Sequence, residues 1–206
     1  MRSGRTEWDL LGRVHHRDIR EVTVEQFAKR YHVDQVQAQR VGRLARELFE
    51  QLESLDGELA FRKHGFLGWA AQLHEIGISI SQAGYHKHSA YVLAYGDMPG
   101  FSRQEQGWLS NLVLAQRGSL AKMSEVFDDD EELLTLAMTL RIAVIFYRSR
   151  RTLKLPKMRL TRKTKGFRLE VDPGWLDHHT LVAHALESER GQWDSVGVGF
   201  EVAEKE

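Results

Sequence analysis

Residues 73–89 read LHEIGISISQAGYHKHS and hold three histidines and one carboxylate: His74 beside Glu75, then His86 and His88. Imidazole nitrogens and carboxylate oxygens are donors that divalent metal sites use, so metal-dependent hydrolysis is one chemistry open to this stretch. Such a site needs several donors to converge, each deprotonated and held by further hydrogen bonds. Spacing alone does not achieve that here. His74 and Glu75 are neighbours near a helix end, and His86 and His88 stand two apart around the next helix start, where they do not share a direction. The other reading makes His74 a hydrogen-bonded histidine near the core. It places His86, Lys87 and His88 at a helix N-terminus, where backbone N–H groups favour anions.

A second chemistry lies further on. The chain is neutral as a whole, but residues 1–147 carry a balance of −3, residues 148–168 of +10 and residues 169–206 of −7. The middle block contains Arg148, Arg150, Arg151, Lys154, Lys157, Arg159, Arg162, Lys163 and Lys165. Arginine supplies forked hydrogen bonds to phosphate oxygens and lysine a mobile point charge, so the block suits a polyanion. The competing account is a solvated face neutralised by the acidic residues that surround it in the fold.

The elements that must position these groups are those of a soluble chain of 206 residues, with 42% hydrophobic and 28% charged content, enough for one or two domains. No run of eighteen apolar residues offers a membrane span, and MRSGRTEWDLLGR lacks the apolar centre of a signal peptide, so a cytoplasmic location is expected. The absence of cysteine excludes disulfides, cysteine–zinc sites and a thiol nucleophile.

The first 130 or so residues read as helices. Thr23 and Gln26 stand in capping-box relation, and Asp34 is an expected N-cap. Val41, Leu44, Ala45, Leu48, Phe49 and Leu52 form one apolar stripe, with LDG at 55–57 as its stop. Phe66, Trp69, Ala70, Leu73 and Ile76 share the face of a third helix that stops at Gly77. A fourth is expected from near His88 to Gly96, and a fifth from a Ser102–Glu105 capping box to Gly118. The longest, about Asp130 to Arg148, is apolar nearly all round and should be central. After Arg151 the period changes to two. Met158 and Leu160, then Phe167, Leu169 and Val171, then Val196, Val198, Phe200 and Val202 read as three strands. A helix from Trp175 to about Glu189 lies between the last two, with Leu176, Leu181, Val182 and Leu186 inward. The fold class expected is mainly α, a helical bundle over 1–151 followed by a small β-β-α-β subdomain over 152–206.

The segment WAAQLHEIGISISQAGYHKHSAYVLAYGDMPGFS closely resembles the C-terminal part of the exopolyphosphatase / guanosine pentaphosphate phosphohydrolase family. The resemblance continues through LLGRVHHRDIREVTVEQFAKRYHVDQVQAQRV and covers nearly the whole chain, more weakly after residue 150. HEIG, HKHSAY and PGFS occur in order and at the family's spacing, which makes the match specific. It implies that the helical part has the fold of the His-Asp phosphohydrolases. It also implies that catalysis belongs to an N-terminal pair of actin-like domains using Mg2+. The chain shows no Gly-rich phosphate loop, so residues 1–20 are expected to be the linker from that half. Met1 is expected to open a truncated form or a short open reading frame.

The resemblance also lets the metal question be put by position. The first histidine of a His-Asp site falls at Gln37, and the His-Asp pair falls at His74 and Glu75. A further histidine is missing from AQRGS, Ala115 to Ser119, and the late aspartate falls at Val144. With three of five ligand positions lost and a fourth altered, no metal and no cofactor are expected in this chain, and no catalytic residue. The reading is a domain that binds inorganic polyphosphate through His86, Lys87, His88 and the basic block, and supports a homodimer and processive phosphate release by the actin-like domains. The alternative is an active metal-dependent phosphohydrolase acting on guanosine pentaphosphate or another nucleotide. Nucleic acid is not expected, because the block has no aromatic stacking platform.

Overall fold

The computed structural model describes residues 18–53 and 58–205. Most of the expected linker and the turn at 55–57 therefore lie outside the described residues. Among those described are eight α-helices and one three-stranded sheet.

Helix α1 (Ile19–Arg30) begins earlier than the Thr23–Gln26 spacing suggests. Asp18 is the N-cap, accepting from the Arg20 amide at 2.9 Å. Thr23 instead lies buried in mid-helix, and its hydroxyl donates to the Pro99 carbonyl at 2.7 Å, tying α1 to the turn before the fifth helix. Helix α2 (Gln35–Glu50) has the expected cap, Asp34 accepting from the Gln37 amide at 3.0 Å. Its stripe from Val41 to Phe49 is buried.

Helix α3 (Glu58–Leu73) runs into a 3₁₀ turn, Ile76–Ser79. Gly77 lies within that turn: a Cβ there would stand 2.2 Å from the Tyr85 carbonyl oxygen. Only glycine permits this approach. The Ser89 hydroxyl stitches the contact, accepting from the Gly77 amide at 2.9 Å and donating to the His74 carbonyl at 3.0 Å. The turn thus presses on helix α4, which runs Tyr85–Tyr95 and begins three residues before the expected start near His88.

Helix α5 (Arg103–Ala115) opens with the expected Ser102–Glu105 capping box and closes three residues before Gly118. The acidic cluster forms a short helix of its own, α6 (Ser124–Asp129). Helix α7 (Glu131–Phe146) is central, packing against α2, α3, α5 and α6, though its sixteen residues only equal α2 and α3 in length. Asp130 caps it, accepting from the Leu133 amide at 2.8 Å, and also accepts from Trp108 Nε1 at 2.6 Å.

The tail follows the expected order: β1 (Met158–Lys163), β2 (Gly166–Val171), helix α8 (Thr180–Asp194) and β3 (Gly199–Glu204). The sheet order is β1-β2-β3, antiparallel then parallel, with Leu160 opposite Leu169. The two expected edges shift. Residues 173–178 are turn rather than helix, and Val196 and Val198 precede β3. With α8 starting at Thr180, Val182 and Leu186 face inward but Leu181 turns outward and is 83% exposed. One apolar cluster runs from α1 through α7 to Trp193 and Phe200, so the two parts share a core.

Candidate functional site

The positions aligned with a His-Asp metal site do converge. Gln37 in the first turn of α2, Glu75 beyond α3, Gln116 beyond α5 and Val144 in α7 line one cavity of about 740 Å3, walled on its far side by α8. His74 lies behind it, 1% exposed. Its Nδ1 is 2.7 Å from the Ala71 carbonyl, which fixes the proton on that nitrogen and leaves Nε2 an acceptor with no partner in the protein. Burial holds the imidazole below its ordinary pKa, against the pull of Glu75, so the ring is neutral.

This set does not fit a divalent metal. Val144 has no donor atom. Gln37 and Gln116 offer neutral amide oxygens, since their nitrogens donate to the Tyr147 carbonyl at 2.8 Å and the His74 carbonyl at 2.6 Å. The Glu75 carboxylate is already engaged by Arg150 at 2.7 Å, whose other nitrogen reaches Asp34 at 3.2 Å. Arg150 takes a left-handed backbone, φ 57°, just past the end of α7. A guanidinium there supplies the positive charge that the carboxylate would otherwise seek from an ion.

A second arrangement surrounds the start of α4. Its N-terminus follows Gly84, φ 66°, and no side chain caps it, so its first amides are open to an anion. His86, in the first turn, is 8% exposed and has an unpartnered Nδ1. Its Nε2 would lie 3.1 Å from a Cβ on Gly118, which has a left-handed φ of 75°. Burial, and then Lys122, Lys87, Arg117 and Arg141, push the His86 pKa down to about 4. Its contribution is hydrogen bonding rather than charge. Lys122 is itself lowered to about 8, by desolvation first and then by Arg141 and Lys87. Arg117 lies over the Tyr85 ring, 5.2 Å from its centroid. Among the described residues no carboxylate pairs with exposed Lys87, Arg117 or Lys122. Positive charge is concentrated here without local neutralisation.

His88 does not join this group. It is half-buried on the other side of the turn, where its Cβ abuts Gly77. The basic block also divides. Arg150 is paired as above, and Arg162 pairs with Glu131 at 2.5 Å, also donates to the Thr135 hydroxyl and lies over Phe167. Arg148, Arg151, Lys154, Lys157, Arg159, Lys163 and Lys165 are exposed and form no ion pair with a described residue. Lys122 escaped the sequence reading, and Arg117 and Gln116 entered it only within AQRGS as a place where a histidine is missing, not as groups that bind or pair. Their only signal was a lone glycine among basic residues in QRGSLAK, which does not reveal that the loop folds back onto α4.

The family profile described as Ppx/GppA phosphatase, domain III, matches residues 19–190. A guanosine-5'-triphosphate,3'-diphosphate pyrophosphatase of Pseudoalteromonas translucida is 37% identical over 194 residues, 92% of this chain and 39% of that protein. Proteins of the same description from Pseudoalteromonas atlantica and Aeromonas hydrophila are 31% and 33% identical, each over 92% of this chain. The chain thus spans about two-fifths of the length of these curated relatives, 38% to 39%. With its helical bundle, small terminal sheet and profile match, the chain belongs to the Ppx/GppA phosphatase family, as its domain III.

Proposed function

We propose that this domain holds the phosphate-rich substrate of a Ppx/GppA phosphatase for hydrolysis by the rest of the enzyme, with inorganic polyphosphate as the ligand of the isolated domain. The observation that carries the reading is the unneutralised cluster of Lys87, Arg117 and Lys122 at the uncapped start of α4. Lys122, whose pKa burial and then Arg141 and Lys87 lower to about 8, gains an opposite charge when an anion arrives. The seven unpaired basic residues between Arg148 and Lys165 offer further weak contacts, so that a chain of phosphates is held by many modest interactions and can slide. Catalysis, and the Mg2+ it uses, are assigned to the actin-like half, and the domain is proposed to support a homodimer.

Titration with polyphosphate at about 50 mM and about 200 mM salt tests this directly. Binding that weakens by at least about tenfold between the two supports it. No binding at the lower salt would overturn it. A second reading is that the parent substrate is guanosine pentaphosphate, as the names of the relatives suggest. Competition between the two ligands in the whole enzyme separates these. Hydrolysis by this domain itself is not favoured, given the donor set around Val144 and the paired Glu75.

A further inference from the structure

The solvent side of α4 carries side chains that the fold does not use. Lys87, Tyr91 and Tyr95 stand four residues apart, so they follow one another along the helix at about 6 Å a step. Tyr91 and Tyr95 are 66% and 73% exposed. Their rings meet at 4.8 Å between centroids with planes tilted by 45°, and neither hydroxyl has a hydrogen-bond partner among the described residues. Most of each ring therefore faces water. Helix formation does not account for them, because tyrosine is a poorer helix former than the leucine, lysine or glutamine that an exposed position accepts.

The charge around them has one sign. From Ile76 to Gly96 the sequence contains no carboxylate, and Asp97 lies beyond the end of α4. Helix α5, which packs along α4, has a single carboxylate, Glu105, and this is held by Arg20 at 3.0 Å and the Ser102 amide at 2.9 Å. Lys87 opens the row of tyrosines, and the fold brings Lys122 into its electrostatic reach at the same end. An inorganic polyanion accounts for these cations but not for the rings, since it has no flat apolar surface to lay on them. A strand of nucleotides has both parts, a phosphate at every step and a base with a π-face. The aromatic platform missing from the basic block after Arg148 is present here, beside a different set of cations.

We propose that the exposed face of α4 is a binding site for single-stranded nucleic acid, with bases stacked on Tyr91 and Tyr95 and backbone phosphates on Lys87, Arg117 and Lys122. A duplex does not satisfy the rings, because its bases are already paired and stacked. The phosphate contacts rest on the cation cluster described under the proposed function, whereas the stacking contacts do not.

Fluorescence anisotropy of the chain with two labelled strands tests the proposal: oligothymidylate of about 12 nucleotides, and an abasic strand of the same length. Both offer the same phosphates, and only the first offers bases. Oligothymidylate should bind at least about tenfold more tightly. The double substitution Tyr91→Ala with Tyr95→Ala should remove that advantage, leaving affinity for the abasic strand and for polyphosphate within about twofold. Tyr91→Phe with Tyr95→Phe, which keeps the rings, should restore it. Both positions are exposed, and melting curves verify that the variants fold. Equal affinity of the unaltered chain for the two strands would overturn the assignment, and is the result expected if the tyrosines serve a protein partner instead. Full oligothymidylate affinity in the alanine variant would overturn it as well. Base-dependent strand binding without polyphosphate binding would support the stacking site and count against the proposed polyphosphate reading alone.

Discussion

Lys122 and His86 show how little of a site's chemistry resides in residue type. A lysine in a three-residue 3₁₀ turn has no distinguishing neighbours in sequence, yet the fold desolvates its ammonium and sets it near Arg141 and Lys87, which together lower its pKa to about 8. Its folded pKa is below its ordinary 10.5, so the folded state binds fewer protons than the unfolded chain between those values. Stability should therefore rise with pH across that window, and Lys122→Met should flatten the rise, as read by denaturant unfolding. Polyphosphate affinity should fall as pH passes upward through about 8, because the ligand binds the charged ammonium. His86 behaves likewise at the acid end. With a folded pKa of about 4 against 6.5, it makes stability fall as pH drops from 6.5 through about 4. Gly118 beside it holds a left-handed backbone against the imidazole, so Gly118→Ala should cost about 1–2 kcal/mol in the same unfolding measurement.

Elements are joined here by a few buried polar groups rather than by apolar packing alone. Arg141, 2% exposed in the middle of α7, pairs with Glu189 of α8 and donates to the carbonyls of Ala115 at 2.6 Å and Gly118 at 3.2 Å. It thereby holds α8, the end of α5 and the loop carrying Lys122 in one arrangement. Arg141→Ala should destabilise the protein by about 3 kcal/mol, leaving Glu189 and two carbonyls without donors. It should also weaken polyphosphate binding beyond what Lys122→Ala does, a comparison that calorimetry makes directly. Asp130 has a similar double duty, so Asp130→Ala should cost about 1–2 kcal/mol through the lost α7 cap and the stranded Trp108 indole. The capping of α2 and α5 was readable because a cap depends on residues three apart. The start of α1 was not, since Thr23 and Gln26 have the right spacing but Thr23 serves Pro99, 76 residues away.

At the scale of the whole molecule, the neutral formal charge conceals a division that folding redistributes. Part of the basic block is spent within the fold, Arg150 on Asp34 and Glu75 and Arg162 on Glu131, while the unpaired remainder stays exposed. Charge reversal at Arg159 and Lys163 together should therefore lower polyphosphate affinity and shrink its salt dependence. Reversal at Arg162 should instead act mainly on stability, and parallel melting and titration experiments distinguish the two. Sedimentation with and without polyphosphate tests the proposed homodimer, with a single monomeric species at all concentrations as the adverse result.

The order of elements and the two periodicities followed from the sequence, because helix and strand periods are local properties, while the comparison of Gln37, His74, Glu75 and Val144 with a His-Asp metal site came from the family resemblance. How those positions are partnered did not. Arg150 reaches Glu75 across 75 residues and Asp34 across 116, and Gln116 reaches the His74 carbonyl across 42. Lys122 meets His86 only because Gly118 turns the chain back onto α4. Pairing and desolvation depend on distances between segments remote in sequence, so tertiary structure alone decided which cations are spent and which remain open to an anion.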